Sequence, residues 1–245
     1  MLKWFALRSF NIIFLSFLFQ CSNATESGDC HPPVNSHQPQ YIIAYGSLIE
    51  TVSKNTTSRE NGENQPVWIE HYQRGWFSKG ISIGFSTTYL GVIKDKNVGF
   101  NGAIFRVLNN RAFKDFDARE KYYCRVLVPI HAIHLLNAKK LHAGQYWIYE
   151  MKPEFLSPPS SNYPIVQSYV DIFLSGCLQM EEKFHLKNFA ARCVQTTRDW
   201  SVHWVNDRIY PRRPMVYQAK ALAIDALLQQ QIPTFFNQVQ LATNN

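Results

Sequence analysis

The hydrophobic residues of this chain change their spacing once, around Pro158-Pro159, and that change limits the fold more than any other feature. Before it, apolar positions come in short runs or alternate. Residues 41–45 (Tyr-Ile-Ile-Ala-Tyr, stopped by Gly46) read as a buried strand. Segments 67–77, 88–94, 98–108, 123–130 and 145–151 read as further strands, separated by polar or glycine-containing turns such as Asp95-Lys96-Asn97. A short helical stretch at 112–117 interrupts them. Past the prolines, Val166, Tyr169, Val170, Phe173, Leu174 and Cys177 recur at helical spacing, and 186–194 and 215–230 continue the pattern. Strands first and helices afterwards predict an α+β protein, its helices packed on a mostly antiparallel sheet or small barrel. Residues 53–66, rich in Asn, Thr, Glu and Ser, carry no hydrophobic period and are expected as an exposed loop. Asn55-Thr56-Thr57 within it matches a glycosylation sequon, which matters in a eukaryotic source.

The N-terminus has the make-up of an export signal. Lys3 and Arg8 are basic, 12–19 is apolar but too short to span a bilayer, and Ser22-Asn23-Ala24 offers small residues to a signal peptidase. A signal peptide over 1–24 is expected, hence a periplasmic or secreted protein with no membrane span in the mature chain. Lipid attachment at Cys21 is the alternative; Leu18 suits it and Gln20 does not. Residues 25–40, with Pro32 and Pro33, read as a flexible leader, and 41–235 as a single domain with a helical C-terminal extension.

Export permits disulfides among Cys30, Cys124, Cys177 and Cys193, which allow three complete pairings. Cys177 and Cys193 lie in neighbouring helical stretches and are the favoured pair. No CxxC or HExxH spacing is present, and His131 and His134 lack a convincing third ligand, so no metal is expected. Nor is there a phosphate-binding or dinucleotide fingerprint, so no cofactor is expected. The net charge of +7 is spread along the chain, and its densest cluster, 208–213, is too short for a nucleic-acid arm.

Three places could carry chemistry. Tyr45-Gly46-Ser47-Leu48 follows the first strand, where a glycine turn can aim successive backbone N–H groups at one point and hold a carboxylate or oxyanion; an ordinary strand-ending turn has the same composition. Glu120 stands where a helix meets the aromatic run Tyr122-Tyr123. A carboxylate drawn partly out of water there would hold its proton more tightly, as a general base requires. The alternative is a solvated helix end, with Arg119 or Lys121 pairing to Asp117 or Glu120. Tyr163, in a loop beside Pro164, could reach over a pocket, whereas Tyr169 lies on the apolar helical stripe and reads as core.

The order of Tyr45-Gly46-Ser47-Leu48, Thr88-Tyr89-Leu90-Gly91-Val92, Asn101-Gly102-Ala103-Ile104-Phe105 and Asp117-Ala118-Arg119-Glu120 resembles the gamma-glutamylcyclotransferase-like family. The similarity runs from Tyr41 to about Glu150 and more loosely through 160–171. It departs at Ala44, where many members carry glycine. The resemblance implies a compact β-barrel with flanking helices that cyclises a small gamma-glutamyl amide or peptide to 5-oxoproline without a cofactor. It puts the catalytic carboxylate at Glu120, the substrate-binding loop at Tyr45, Gly46, Ser47 and Leu48, and a substrate-contacting tyrosine at Tyr163. A non-catalytic protein that holds gamma-glutamyl or acidic peptide ligands in the same pocket is the alternative.

Overall fold

The computed structural model describes residues 30–80, 87–137, 139–212 and 220–242. The expected signal peptide lies outside the described residues, as does the first part of the helix expected at 215–230.

The central strand is β1 (Gln40–Ala44), every residue of which is buried, as a continuous apolar run demands. It pairs antiparallel with β3 (Thr88–Val107), which pairs antiparallel with β2 (Gln65–Lys79). On its other side β1 pairs parallel with β6 (Gln145–Met151), and β6 pairs antiparallel with β4 (Tyr123–Leu127). The short strand β5 (Ile133–Leu135) closes the far edge of the sheet against β2. The order is β4-β6-β1-β3-β2-β5, with β8 (Thr197–Arg198) lying parallel to β2. The α+β class stands, but the barrel expected from the resemblance does not. Among the described residues the end strands β4 and β5 do not pair, and the sheet is mixed.

Two local expectations are corrected. Asp95-Lys96-Asn97 is not a turn between two strands: β3 runs through it, and 95–98 form an excursion in the ladder between the Glu70–Gly99 and Tyr72–Lys94 pairs. Opposite that excursion His71 has φ 68°, and its Nδ1 meets the Lys96 carbonyl at 3.1 Å. The supposed loop over 53–66 begins as a helix, α1 (Thr51–Thr57), because the Glu50 carboxylate caps it by accepting from Ser53 N–H. Residues 30–39 are also tied down. Cys30 is disulfide-bonded to Cys124, and the Cys30 and Pro32 carbonyls accept from Arg125.

The helix α2 (Asn110–Arg119) follows β3, capped by the Asn109 side chain accepting from Ala112 N–H. The long helix α3 (Gln167–Phe184) packs on the sheet through Val170, Phe173 and Leu174, all fully buried. It approaches the turn after β1 closely at Gly176, where a Cβ would stand 2.6 Å from the Glu50 nitrogen. The Cys177–Cys193 disulfide joins α3 to α4 (Phe189–Gln195), as favoured from the sequence. Arg74 on β2 is buried and locks these parts together. Its guanidinium donates to the carbonyls of Tyr45, Asn101 and Cys193 and to the hydroxyls of Thr196 and Thr197. Burial among neutral acceptors lowers its pKa to about 9.

Candidate functional site

The turn after β1 is shaped by crowding. Gly46 leads into a 3-10 turn over Ser47–Ile49, in which Ile49 N–H donates to the Gly46 carbonyl at 3.0 Å. A Cβ on Gly46 would lie 2.9 Å from the Tyr169 hydroxyl oxygen, so any side chain there collides with α3. Tyr169 reaches across from α3 so that its hydroxyl lies against the Gly46-Ser47 turn, and it lines two cavities there together with Ser47. Tyr45 points the other way and donates to the Tyr149 carbonyl at 2.6 Å, while Leu48 is buried beneath the turn.

Glu120 comes to this turn from the far end of α2. It is the C-cap residue, its N–H donating to the Phe116 carbonyl, and its own carbonyl accepts from Tyr123 N–H at 2.8 Å as the chain bends into β4. Only 15% of its side chain is exposed. Burial raises its pKa above the ordinary carboxylate value, against the pull of Arg119. The negative end of the α2 dipole acts in the same direction as burial. Arg119 Nε stands 3.3 Å from Glu120 Oε1, while its other nitrogens donate to Ser47 Oγ (2.9 Å), Ser53 Oγ (3.0 Å) and the Ser53 carbonyl (2.7 Å). A bond to Thr57 Oγ1 completes the set. One guanidinium therefore sets the turn, α1 and the carboxylate relative to one another. Asp117 is held apart by Arg125 (2.9 Å) and the Tyr149 hydroxyl (2.7 Å), and serves the packing of α2 on β4 and β6.

Two cavities meet here. An inner one of about 30 Å³ is lined by Tyr45, Gly46, Ser47, Leu48 and Glu120 among others. An outer one of about 640 Å³ opens past Thr56, Thr57 and Lys121. Ser47, Glu120, Tyr123 and Tyr169 line both and form the partition between them. The pKa of Tyr169 is pushed up to about 12 by burial first and by Glu120 next, and burial likewise raises that of Tyr123, so both phenols are neutral donors near pH 7. A neutral-phenol ring around one carboxylate and a turn with backbone amides can fold a small polar ligand, take a proton from it and hold a developing oxyanion.

Five of the six expected residues, Tyr45, Gly46, Ser47, Leu48 and Glu120, thus stand together. Tyr163 does not. Its ring lies under Lys79 Nζ at 4.3 Å, its carbonyl accepts from Thr88 Oγ1, and it lines neither cavity, so the structure does not bring it together with the other five. Tyr169 belongs to the core, as read from its stripe, and in addition lines both cavities at the turn. Arg119 pairs with Glu120, the contact weighed above as a helix-end ion pair, whereas the place of Tyr123 beside the carboxylate had no signal beyond its nearness in sequence. His134 pairs with Glu70 at 3.4 Å, and among the described residues no cluster of His, Cys, Asp or Glu could hold a metal ion.

No protein-family model matches this chain, and no curated protein does. Among solved structures it is similar to gamma-glutamyl cyclotransferase and AIG2-like structures. An uncharacterized human protein shares 13% identity over 67% of this chain and 92% of its own, with a TM-score of 0.49. A gamma-glutamyl cyclotransferase shares 12% identity over 65% and 88%, also with a TM-score of 0.49. A yeast gamma-glutamyl cyclotransferase specific to glutathione shares 11% over 66% and 98%, with a TM-score of 0.40.

Proposed function

We propose that this protein is an enzyme that cyclises gamma-glutamyl amides or peptides to 5-oxoproline, with Glu120 as general base. The observation that carries the reading is the meeting of Glu120, low in solvent exposure and raised in pKa, with the Tyr45–Leu48 turn at the partition between the two cavities. The order of motifs in the sequence supports it independently.

A gamma-glutamyl amide contains its own nucleophile. Its α-ammonium group gives a proton to Glu120, and the freed amine attacks the side-chain carbonyl carbon. A C–N bond closes the five-membered ring as the carbonyl oxygen takes up negative charge near the turn. The bond to the attached nitrogen then breaks, and the protons shed by the ring nitrogen leave with the departing amine through Glu120. No water is consumed. Folding the substrate so that amine meets carbonyl contributes on the order of 7–11 kcal/mol when alignment is good. Arg119 holds Ser47 and the carboxylate in register, and Tyr169 packs its hydroxyl beside the turn that a substrate oxygen would approach.

Purified protein mixed with a gamma-glutamyl dipeptide should form 5-oxoproline and the free amino acid in equal amounts. One observation favours the rival reading, a non-catalytic binding protein: the Arg119–Glu120 contact lets the carboxylate serve as a structural ion pair. Tight binding of the dipeptide without product would establish that rival. We further propose that the chain acts outside the cytoplasm, a reading supported by its signal-like N-terminus and its two disulfides.

A further inference from the structure

The long helix that brings Tyr169 to the turn begins without a cap of its own. Its N-cap residue is Val166, whose side chain has no acceptor, so the first N–H groups of α3 need a partner from elsewhere. Asp207 supplies it from 39 residues downstream. One carboxylate oxygen accepts from Ser168 N–H at 2.7 Å; the other accepts from the Ser168 hydroxyl at 2.7 Å and from Arg212 N–H at 2.7 Å. Asp207 is 1% exposed, so the arrangement is enclosed. The next residue, Arg208, bonds Asp171 through two nitrogens and Asp225 through two, all at 2.8 Å, fastening the second turn of α3 to helix α5 (Ala221–Gln231).

The same segment backs Tyr169 from behind. Strand β9 (Trp204–Asn206) pairs parallel with β7 (Ile165–Val166), the two residues immediately before α3. Trp204 stacks on Trp200 at 5.1 Å, Trp200 meets Trp76 at 5.2 Å, and Trp76 meets the Tyr169 ring edge-on at 5.8 Å. Tyr169 is one residue past the capped Ser168, so a slip of the first turn carries its hydroxyl away from Ser47.

We infer that the segment from Trp200 to Arg208 is a positioning clamp for the site, in which Asp207, by capping α3 at Ser168, sets Tyr169 against the Ser47 turn. Asp207 and Arg208 touch neither cavity and act through Tyr169. The inference rests on the cyclase reading only for its catalytic arm.

Asp207→Asn in the full mature chain tests it in two ways. Asparagine keeps one acceptor for Ser168 N–H but turns a donor toward one of the remaining partners. By amide hydrogen exchange, Ser47 N–H should exchange about tenfold faster than in the parent, as the turn loosens once Tyr169 no longer packs against it, while Ile43 N–H in β1 stays protected. With a gamma-glutamyl dipeptide, kcat should fall about tenfold with KM changed little, and the double variant with Tyr169→Phe should be no slower than Tyr169→Phe alone. Unchanged exchange at Ser47, or effects of the two substitutions that multiply, would overturn the clamp. Should Asp207→Asn fail to fold, Ser168→Ala, which removes a single bond of the cap, is judged by the same criteria. If the parent protein forms no 5-oxoproline, the cyclase reading falls while the exchange at Ser47 still decides the clamp.

Discussion

Glu120 gathers three influences on one carboxyl group: loss of water, the carbonyl end of α2, and the opposing charge of Arg119. The first two prevail, and the sign follows. A carboxyl whose folded pKa exceeds its unfolded value weakens the fold once pH rises through that folded value, where the buried group is charged. Glu120→Gln should therefore be more stable than the parent at pH 8 and equal to it near pH 4, as chemical denaturation at the two pH values would show. By the same shift, the acid limb of kcat/KM in the parent should lie above the ordinary carboxylate pKa of about 4.3. At Gly46, alanine brings a Cβ to 2.9 Å from the Tyr169 hydroxyl. Gly46→Ala should lower stability by about 1–3 kcal/mol and displace Tyr169, visible as a lower Tm and reduced turnover. Tyr163→Phe should leave turnover within about twofold of the parent, because it lines neither cavity, whereas Tyr169→Phe should lower it about tenfold by removing a hydroxyl from the partition between them. The sequence pointed to the turn and the carboxylate because a glycine after a strand and an acid after a helix are local signals. Tyr169 is core, as its helical stripe indicated, and what the stripe could not show is that a residue facing the core also faces a cavity when the core has one.

At the scale of elements, most strands and the helix α3 were legible, since their apolar spacing is strong. What failed was punctuation. Asp95-Lys96-Asn97 has turn composition, yet its neighbours on both sides pair with the same strand, so the polar residues bulge out of one ladder. The helix α1 escaped detection because it has almost no apolar stripe; it stands on the Glu50 cap and on Arg119, which bonds Ser53 and Thr57 from outside. Pairing of α3 with α4 was visible in the cysteine spacing. The Cys177–Cys193 bond closes 16 residues of separation, so replacing both cysteines by alanine should cost about 3 kcal/mol, measured by urea unfolding under non-reducing conditions.

For the whole molecule, the α+β class followed from the single change of texture at Pro158-Pro159, whereas closure of the sheet did not. Closure depends on whether the outermost strands meet, and alternation along β4 or β5 says which face is buried, not which strand lies alongside. The parallel pairing of β1 with β6 was equally hidden, because the chain builds β2, β3, α2, β4 and β5 before β6 returns to lie beside β1, and no residue in either strand encodes that return. The same holds for the segment around Asn206-Asp207-Arg208, which carries no local pattern and acquires its meaning only from what it grips on α3. The assembled site brings a helix end, a strand end and the start of a second helix to one carboxylate, and the chemistry proposed for it depends on that carboxylate. The most direct test is the rate of 5-oxoproline formation from a gamma-glutamyl dipeptide by the parent protein and by Glu120→Gln, with circular dichroism to show both folded. The account expects turnover by the parent and a loss of at least about a hundredfold in the variant; a folded variant that turns over at the parent's rate would contradict it.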